Sequence, residues 1–131
     1  GSPSMNFMDG KISGISDNNV ECELVNSQKM QVHCLPGEDI NTGETVKVGV
    51  RPEHLELTEN GDTKLKGEVF AVERLGGETY LYVNTEKNEE LTVHAAGDKV
   101  VGVGDLVSIG FAAKHCHLFN GQGQVFEKLA A

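Results

Sequence analysis

The sequence has no tryptophan, three prolines, three cysteines and only two arginines, Arg51 and Arg74, among 131 residues. Each scarcity excludes something. Three cysteines (Cys22, Cys34, Cys116) cannot all pair within the chain, so reduced thiols in a cytoplasmic setting are the simpler reading. Positive charge is short as well: 11 Lys and Arg face 20 Asp and Glu, for a formal net charge of -9. A surface of that sign repels phosphate, and neither arginine sits in a basic cluster, which argues against a nucleic-acid partner. No apolar run approaches the ~18 residues of a membrane span, and no basic segment leads into an apolar one at the start.

What the sequence does have is glycine, 16 residues of it, between short apolar stretches. Residues 10–15, 20–25 and 30–35 form three such stretches, parted by Asp17-Asn18-Asn19 and Asn26-Ser27-Gln28. Met30, Val32 and Cys34 share one parity and Gln31 and His33 the other, the period of a half-buried strand. Residues 36–44 read as a connection with room for one helical turn. Val46, Val48 and Val50 then alternate with Lys47, Gly49 and Arg51 until Pro52, which restrains Arg51 and has no amide for a ladder, so a bend at a sheet rim is predicted. Residues 55–57 resume a short strand. Glu59-Asn60-Gly61-Asp62 is the strongest turn cluster and reads as a boundary between halves.

In the second half, Gly76-Gly77 between 65–75 and 79–83 is a hairpin signature. Thr79, Leu81 and Val83 are predicted on one face, Tyr80 and Tyr82 on the other. Further strands are read at 91–95, 107–111, 115–119 and 124–126, with turns at Gly97-Asp98, 102–105 and Asn120-Gly121-Gln122-Gly123. No 3.6-residue apolar stripe persists long enough for a long helix. About ten short strands with tight turns predict an all-β barrel or sandwich architecture.

Chemistry is sparse. No lysine has glycine before it and serine or threonine after it, so the glycine-rich ATP loop is missing. Gly102-Val103-Gly104 lacks the third glycine and the helix of a dinucleotide site. His115-Cys116-His117 is the one metal-like run, but on a strand the cysteine faces away from the two histidines and too few ligands remain. No nucleophile elbow accompanies the serines, cysteines and histidines. The Arg51-Pro52-Glu53-His54 bend offers a rigid turn with charged side chains, read either as a local polar corner or as a docking surface for a partner's carboxylate or backbone. Glu73-Arg74 before the glycine hairpin carries the same two readings. Phe70, Tyr80 and Tyr82 are read as ordinary packing rather than as a stacking platform for bases, because no basic residues surround them.

Three segments, in order, carry a resemblance. They are Gly1-Ser2-Pro3-Ser4-Met5-Asn6-Phe7-Met8, then Gly49-Val50-Arg51-Pro52-Glu53-His54-Leu55, then Glu73-Arg74-Leu75-Gly76-Gly77-Glu78-Thr79 followed by Gly104-Asp105 and His117-Leu118-Phe119. Together they resemble the C-terminal regulatory region, the transport-associated OB (TOBE) domain, of the ATP-binding subunit of bacterial ABC importers for sugars or glycerol-3-phosphate, the maltose-importer ATPase family. The resemblance covers essentially residues 1–131. It implies two closely associated OB-like small barrel lobes of TOBE/MOP-like type with short connections, one over about 8–60 and the other over about 63–128, with strand exchange between them left open.

It also implies that the chain is part of a longer transport ATPase whose ATP and magnesium sites lie upstream of Gly1, the fragment itself being no enzyme and holding no cofactor or metal. The expected partners are a second copy of the subunit, the importer's membrane subunits and, in some relatives, a regulatory protein; nucleic acid is not among them. The expected location is the cytoplasmic face of the bacterial inner membrane. Carried over residue by residue, Arg51, Pro52, Glu53 and His54 become a conformational and dimer-contact element. Glu73, Arg74, Gly76 and Gly77 belong to the hairpin motif, and His117 and Phe119 fall near the subunit contact. Ala112-Ala113-Lys114-His115 departs from relatives, which commonly carry Pro-Glu-Arg before the last motif; this weakens a regulator-docking role for that loop. The rival reading is a free-standing OB-like module for a small ligand, an oxyanion or a sugar.

Overall fold

The structure, a computed structural model, describes residues 4–87, 89–95 and 100–129. Among them the regular elements are ten strands and two 3-10 turns. The strands are β1 (Asn6–Ile15), β2 (Asn19–Leu24), β3 (Lys29–His33), β4 (Thr45–Val50), β5 (Glu56–Leu57), β6 (Thr63–Leu75), β7 (Glu78–Thr85), β8 (Glu90–Ala95), β9 (Leu106–Phe111) and β10 (His117–Phe119). The 3-10 turns are Pro52–His54 and Ala113–His115. The fold is all-β with no long helix among the described residues.

The chain divides into two compact units, residues 7–50 with 112–131 and residues 1–6 with 51–111. In the first, a five-stranded sheet runs in the order β10-β4-β1-β2-β3. Alternation builds its core: Met30 and Val32 of β3 and Val20, Cys22 and Leu24 of β2 are buried while their neighbours along each strand are half-buried or exposed, and β4 alternates through Val46 and Val48 before Gly49 and Val50 are both buried. A strand with one buried face shows this period because successive side chains point to opposite sides. β10 joins this sheet, far from its chain neighbours of β9, by pairing antiparallel with β4, Leu118 opposite Val48.

The second unit carries a five-stranded sheet in the order β5-β9-β6-β7-β8. Its core is Leu55, Leu65, Val69, Leu81, Val83, Leu91, Val93 and Ile109. Leu81 and Val83 face the core as the alternation predicts, but Tyr80 on the opposite face is also buried, with 6% exposure. The edge strand β8 is covered at one point by a side chain. The Asn6 amide donates to the Thr92 carbonyl at 2.8 Å and accepts from the Thr92 amide at 2.8 Å, imitating one rung of a neighbouring strand. Blunting an edge in this way removes a template for unwanted pairing. Asn6 is itself buried, so losing the amide would leave Thr92's backbone groups unmet at a cost of about 1–3 kcal/mol.

Several expectations are revised. Residues 36–44 contain turns and no helix. His115 closes a 3-10 turn, so the last strand begins only at His117. The stretch 124–126 contributes one isolated bridge, Val125 to Phe119, instead of a strand. Glu59-Asn60-Gly61-Asp62 is a turn inside the second unit, whereas the division between units falls at Val50/Arg51 and Phe111/Ala112. The Gly97-Asp98 turn lies outside the described residues.

All three cysteines are buried as free thiols. Burial pushes the Cys22 thiol up to about 12, with Cys34 and Glu21 adding to it, and burial also raises Cys34. Thiolate is the reactive form, so these sulfurs are inert while the fold persists. A thiol-disulfide reagent at neutral pH is expected to leave Cys22 and Cys34 unmodified in the native chain and to label both at once in denaturant. Rapid labelling of either in the native chain would show that the core around β2 and β3 is open.

Candidate interaction surface

β4 ends because Pro52 has no amide to offer a ladder. Arg51 takes an extended backbone (φ −74°, ψ 149°), the conformation favoured before proline, and the chain turns through Pro52–His54. The His54 amide donates to the Arg51 carbonyl at 3.0 Å and the Leu55 amide to the Pro52 carbonyl at 3.2 Å. Pro52 and Leu55 are buried and anchor the turn, which packs against β8. Arg51 and Glu53 are exposed and His54 is half-buried. The bend is therefore fixed from beneath, with its two charged side chains turned to solvent.

The second predicted segment is the β6–β7 hairpin. Leu75 and Glu78 form its last pair, leaving Gly76 and Gly77 as the two loop residues. Their φ values of +57° and +96° are those of a primed two-residue turn, whose twist matches the flanking strands. Arg74 Nη1 donates to Thr79 Oγ1 at 3.0 Å, and the Tyr82 hydroxyl donates to Glu73 Oε1 at 3.0 Å.

Register then assembles residues that spacing along the chain does not connect. Glu73 stands opposite Tyr80 and Tyr80 opposite His94, one row across β6, β7 and β8. The Tyr80 hydroxyl donates to Glu78 Oε2 at 2.9 Å, its ring lies 5.2 Å from that of His94, and His94 Nε2 lies 3.9 Å from the same Glu78 oxygen. Tyr82 occupies the next row, its ring 6.3 Å from Phe70. The 3-10 turn that carries Glu53 packs against β8, the strand of His94. Glu73, Glu78, Tyr80, Tyr82 and His94 thus form one surface. Glu78 entered the sequence reading only as a member of the hairpin segment and His94 was not joined to it; register is what brings the two together around Tyr80.

The remaining predicted residues lie in the other unit. His117 and Phe119 are half-buried on β10, opposite Gly49 and Lys47 of β4. Phe119 meets Phe7 edge to face, centroids 5.4 Å apart at 71°. Among the described residues no group of three or more His, Cys, Asp or Glu side chains is placed to hold a metal ion. No helix among them is long and apolar enough to cross a membrane.

Comparison with known proteins follows the same segments. The TOBE domain family model matches residues 48–119, and the MalK OB fold domain model matches residues 1–55. The maltose/maltodextrin import ATP-binding protein MalK of Vibrio cholerae is 37% identical over 130 residues, covering 98% of this chain and 35% of its own length. The protein of the same name from Mannheimia succiniciproducens is 34% identical over 134 residues, covering 100% of this chain and 36% of its own length. The chain spans about a third of the length of the curated relatives it matches. Among solved structures, the cytoplasmic molybdate-binding protein ModG with molybdate bound superposes with a TM-score of 0.71 at 17% identity, covering 86% of this chain and 94% of that one, a likeness of fold.

Both tyrosines are raised above their ordinary 10.0, first by the hydrogen bonds to Glu78 and Glu73 and then by burial and nearby carboxylate charge. A phenol must keep its proton to donate. The stabilisation from these pairs is therefore complete below the ordinary tyrosine value and is lost as pH rises through the raised folded values. Denaturant midpoints measured at neutral pH and well above that value should show an alkaline decline that the Y80F/Y82F double variant reduces. An undiminished decline in the variant would remove the two phenols as its cause.

Proposed function

The chain belongs to the TOBE-domain family, and from that premise we propose that it is the regulatory and dimerisation region of the ATP-binding subunit of an ABC-type importer of a sugar, polyol or glycerol-3-phosphate. The observation that carries this reading is the colinear similarity of almost the whole chain to import ATP-binding proteins, with the TOBE domain over residues 48–119. In this reading ATP and magnesium are bound and turned over by a domain outside the sequence given, and the β units contribute no catalytic group. The parent subunit would sit in the cytoplasm against the importer's membrane subunits, with a regulatory protein as a further candidate partner.

The physical need is geometric. Catalytic domains that close on ATP and reopen after hydrolysis must separate without losing one another. A rigid module with its own contact to a second copy keeps their effective concentration high while the catalytic domains move. The surface around the 3-10 turn suits this task. Arg51 offers a planar fork of donors for a partner's carboxylate or carbonyls, and Glu53 sets an acceptor beside it. Glu73 and Arg74, on a hairpin held in shape by Gly76 and Gly77, and His117 and Phe119 on β10 are the further proposed contacts.

The test uses the parent protein in its own membranes. Antiserum against the chain is expected to precipitate, from detergent-solubilised membranes, a polypeptide about three times the chain's length together with integral membrane subunits. Two differently tagged copies of that polypeptide should be recovered together, and less so when both carry Arg51→Glu. A soluble polypeptide of the chain's own size, with no membrane protein beside it, would contradict the proposal.

A further inference from the structure

In the β1–β4 unit, a groove of ≈ 690 Å³ opens between Phe7 and Asp9 of β1, Thr45 and Lys47 of β4, and Phe119 with the turn that follows it. Its size is within the ~300–1,000 Å³ of small-molecule sites. Phe7 is 51% exposed, a costly position for a large apolar residue, and Phe119 braces its ring edge to face. Asp9 and Lys47 form an ion pair on the rim. The far wall is held in one shape by Asn120, whose Oδ1 accepts the amides of Gln122 and Gln124 at 2.9 Å each. Thr45, Asn120 and Gly121 also line a second groove of ≈ 440 Å³, together with Glu38, Asp39, Glu44, Gln122 and Gln124.

These walls select a chemistry. Glu38, Asp39 and Glu44 repel an oxyanion, and the paired Asp9 and Lys47 leave the aromatic end without net charge, so neither an anion nor a cation is favoured there. An exposed aromatic face takes the C–H face of a saturated ring, whose slightly positive hydrogens meet the negative face of the π-system. Carboxylates, amides and an ammonium around it accept from and donate to hydroxyls. A platform of one ring followed by a polar trough fits a ligand longer than one sugar unit. We propose that this groove binds a neutral oligosaccharide, one pyranose ring stacked on Phe7 and its hydroxyls bonded to Asp9 and Lys47, with the next unit in the trough between residues 38–44 and 120–124. Of the walls named, only Phe119 is also among the subunit contacts proposed above, and binding here does not rest on the importer assignment.

Titration of the isotope-labelled chain with maltotriose, followed by amide resonances, tests it. Saturable shifts are expected at Lys47, Phe119 and Gly121, with Gly76 and Gly77 unmoved. Phe7→Ala should weaken the binding about tenfold, the loss of one aromatic contact. If Phe7→Ala displaces resonances throughout the chain, Lys47→Met carries the same expectation. The proposal is overturned by shifts that do not saturate, by shifts that both variants leave unchanged, or by saturation of the same amides with molybdate in place of the sugar.

Discussion

A β-carbon added to Gly110 would lie 2.0 Å from the Asn60 carbonyl oxygen and 2.8 Å from the Thr58 methyl. Only hydrogen fits there. The backbone of residues 58–60 is folded directly onto β9, and this close approach seats the two-residue strand β5, with Glu56 opposite Gly110 and Leu57 opposite Ile109. β5 is too short to hold itself by ladder bonds. Held by that contact, however, it fixes the C-terminal end of the Pro52–His54 turn, while buried Leu55 and Pro52 fix the rest. The seat of the Pro52–His54 turn thus depends on a missing side chain on β9.

The electrostatics of the interaction surface follow from the hairpin register. On the hairpin face, the carboxylates of Glu73 and Glu78 gather around two phenols and a histidine. Each phenol donates to a carboxylate, so the acceptors are oriented and not merely exposed. Such an arrangement favours a partner that brings donors, and it is unsuited to phosphate, in keeping with the chain's net charge of -9. The likeness of fold to ModG at 17% identity adds a general point: the same strand scaffold carries different sites, and their chemistry has to be read from side chains.

Much of the architecture was legible because each sheet buries one face. Met30 and Val32, Val46 and Val48, and Leu81 and Val83 declare their strands by parity, and Gly76-Gly77 declares its turn. Parity specifies which face is buried but not which strand lies beside which. That is why the return of β10 to β4 could not be read, and why Glu59-Asn60-Gly61-Asp62 looked like a boundary when the units divide at Arg51 and Ala112. The Arg51-Pro52-Glu53-His54 bend was legible from proline alone. The grouping of Glu78 and His94 around Tyr80 was not, since only register places Tyr80 between Glu73 and His94. The Asn6 amide on Thr92 joins residues 86 positions apart, beyond any local signal.

The dependence of the turn's seat on the Gly110 approach is tested most directly by urea denaturation of Gly110→Ala beside Gly102→Ala. A β-carbon at Gly102 meets nothing within 4 Å. The account predicts a loss of about 3 kcal/mol for Gly110→Ala, the upper range for forcing an atom into a filled space, and a change within about 0.5 kcal/mol for Gly102→Ala. Equal stability of the two variants would contradict it, because the fold over β9 would then not require glycine.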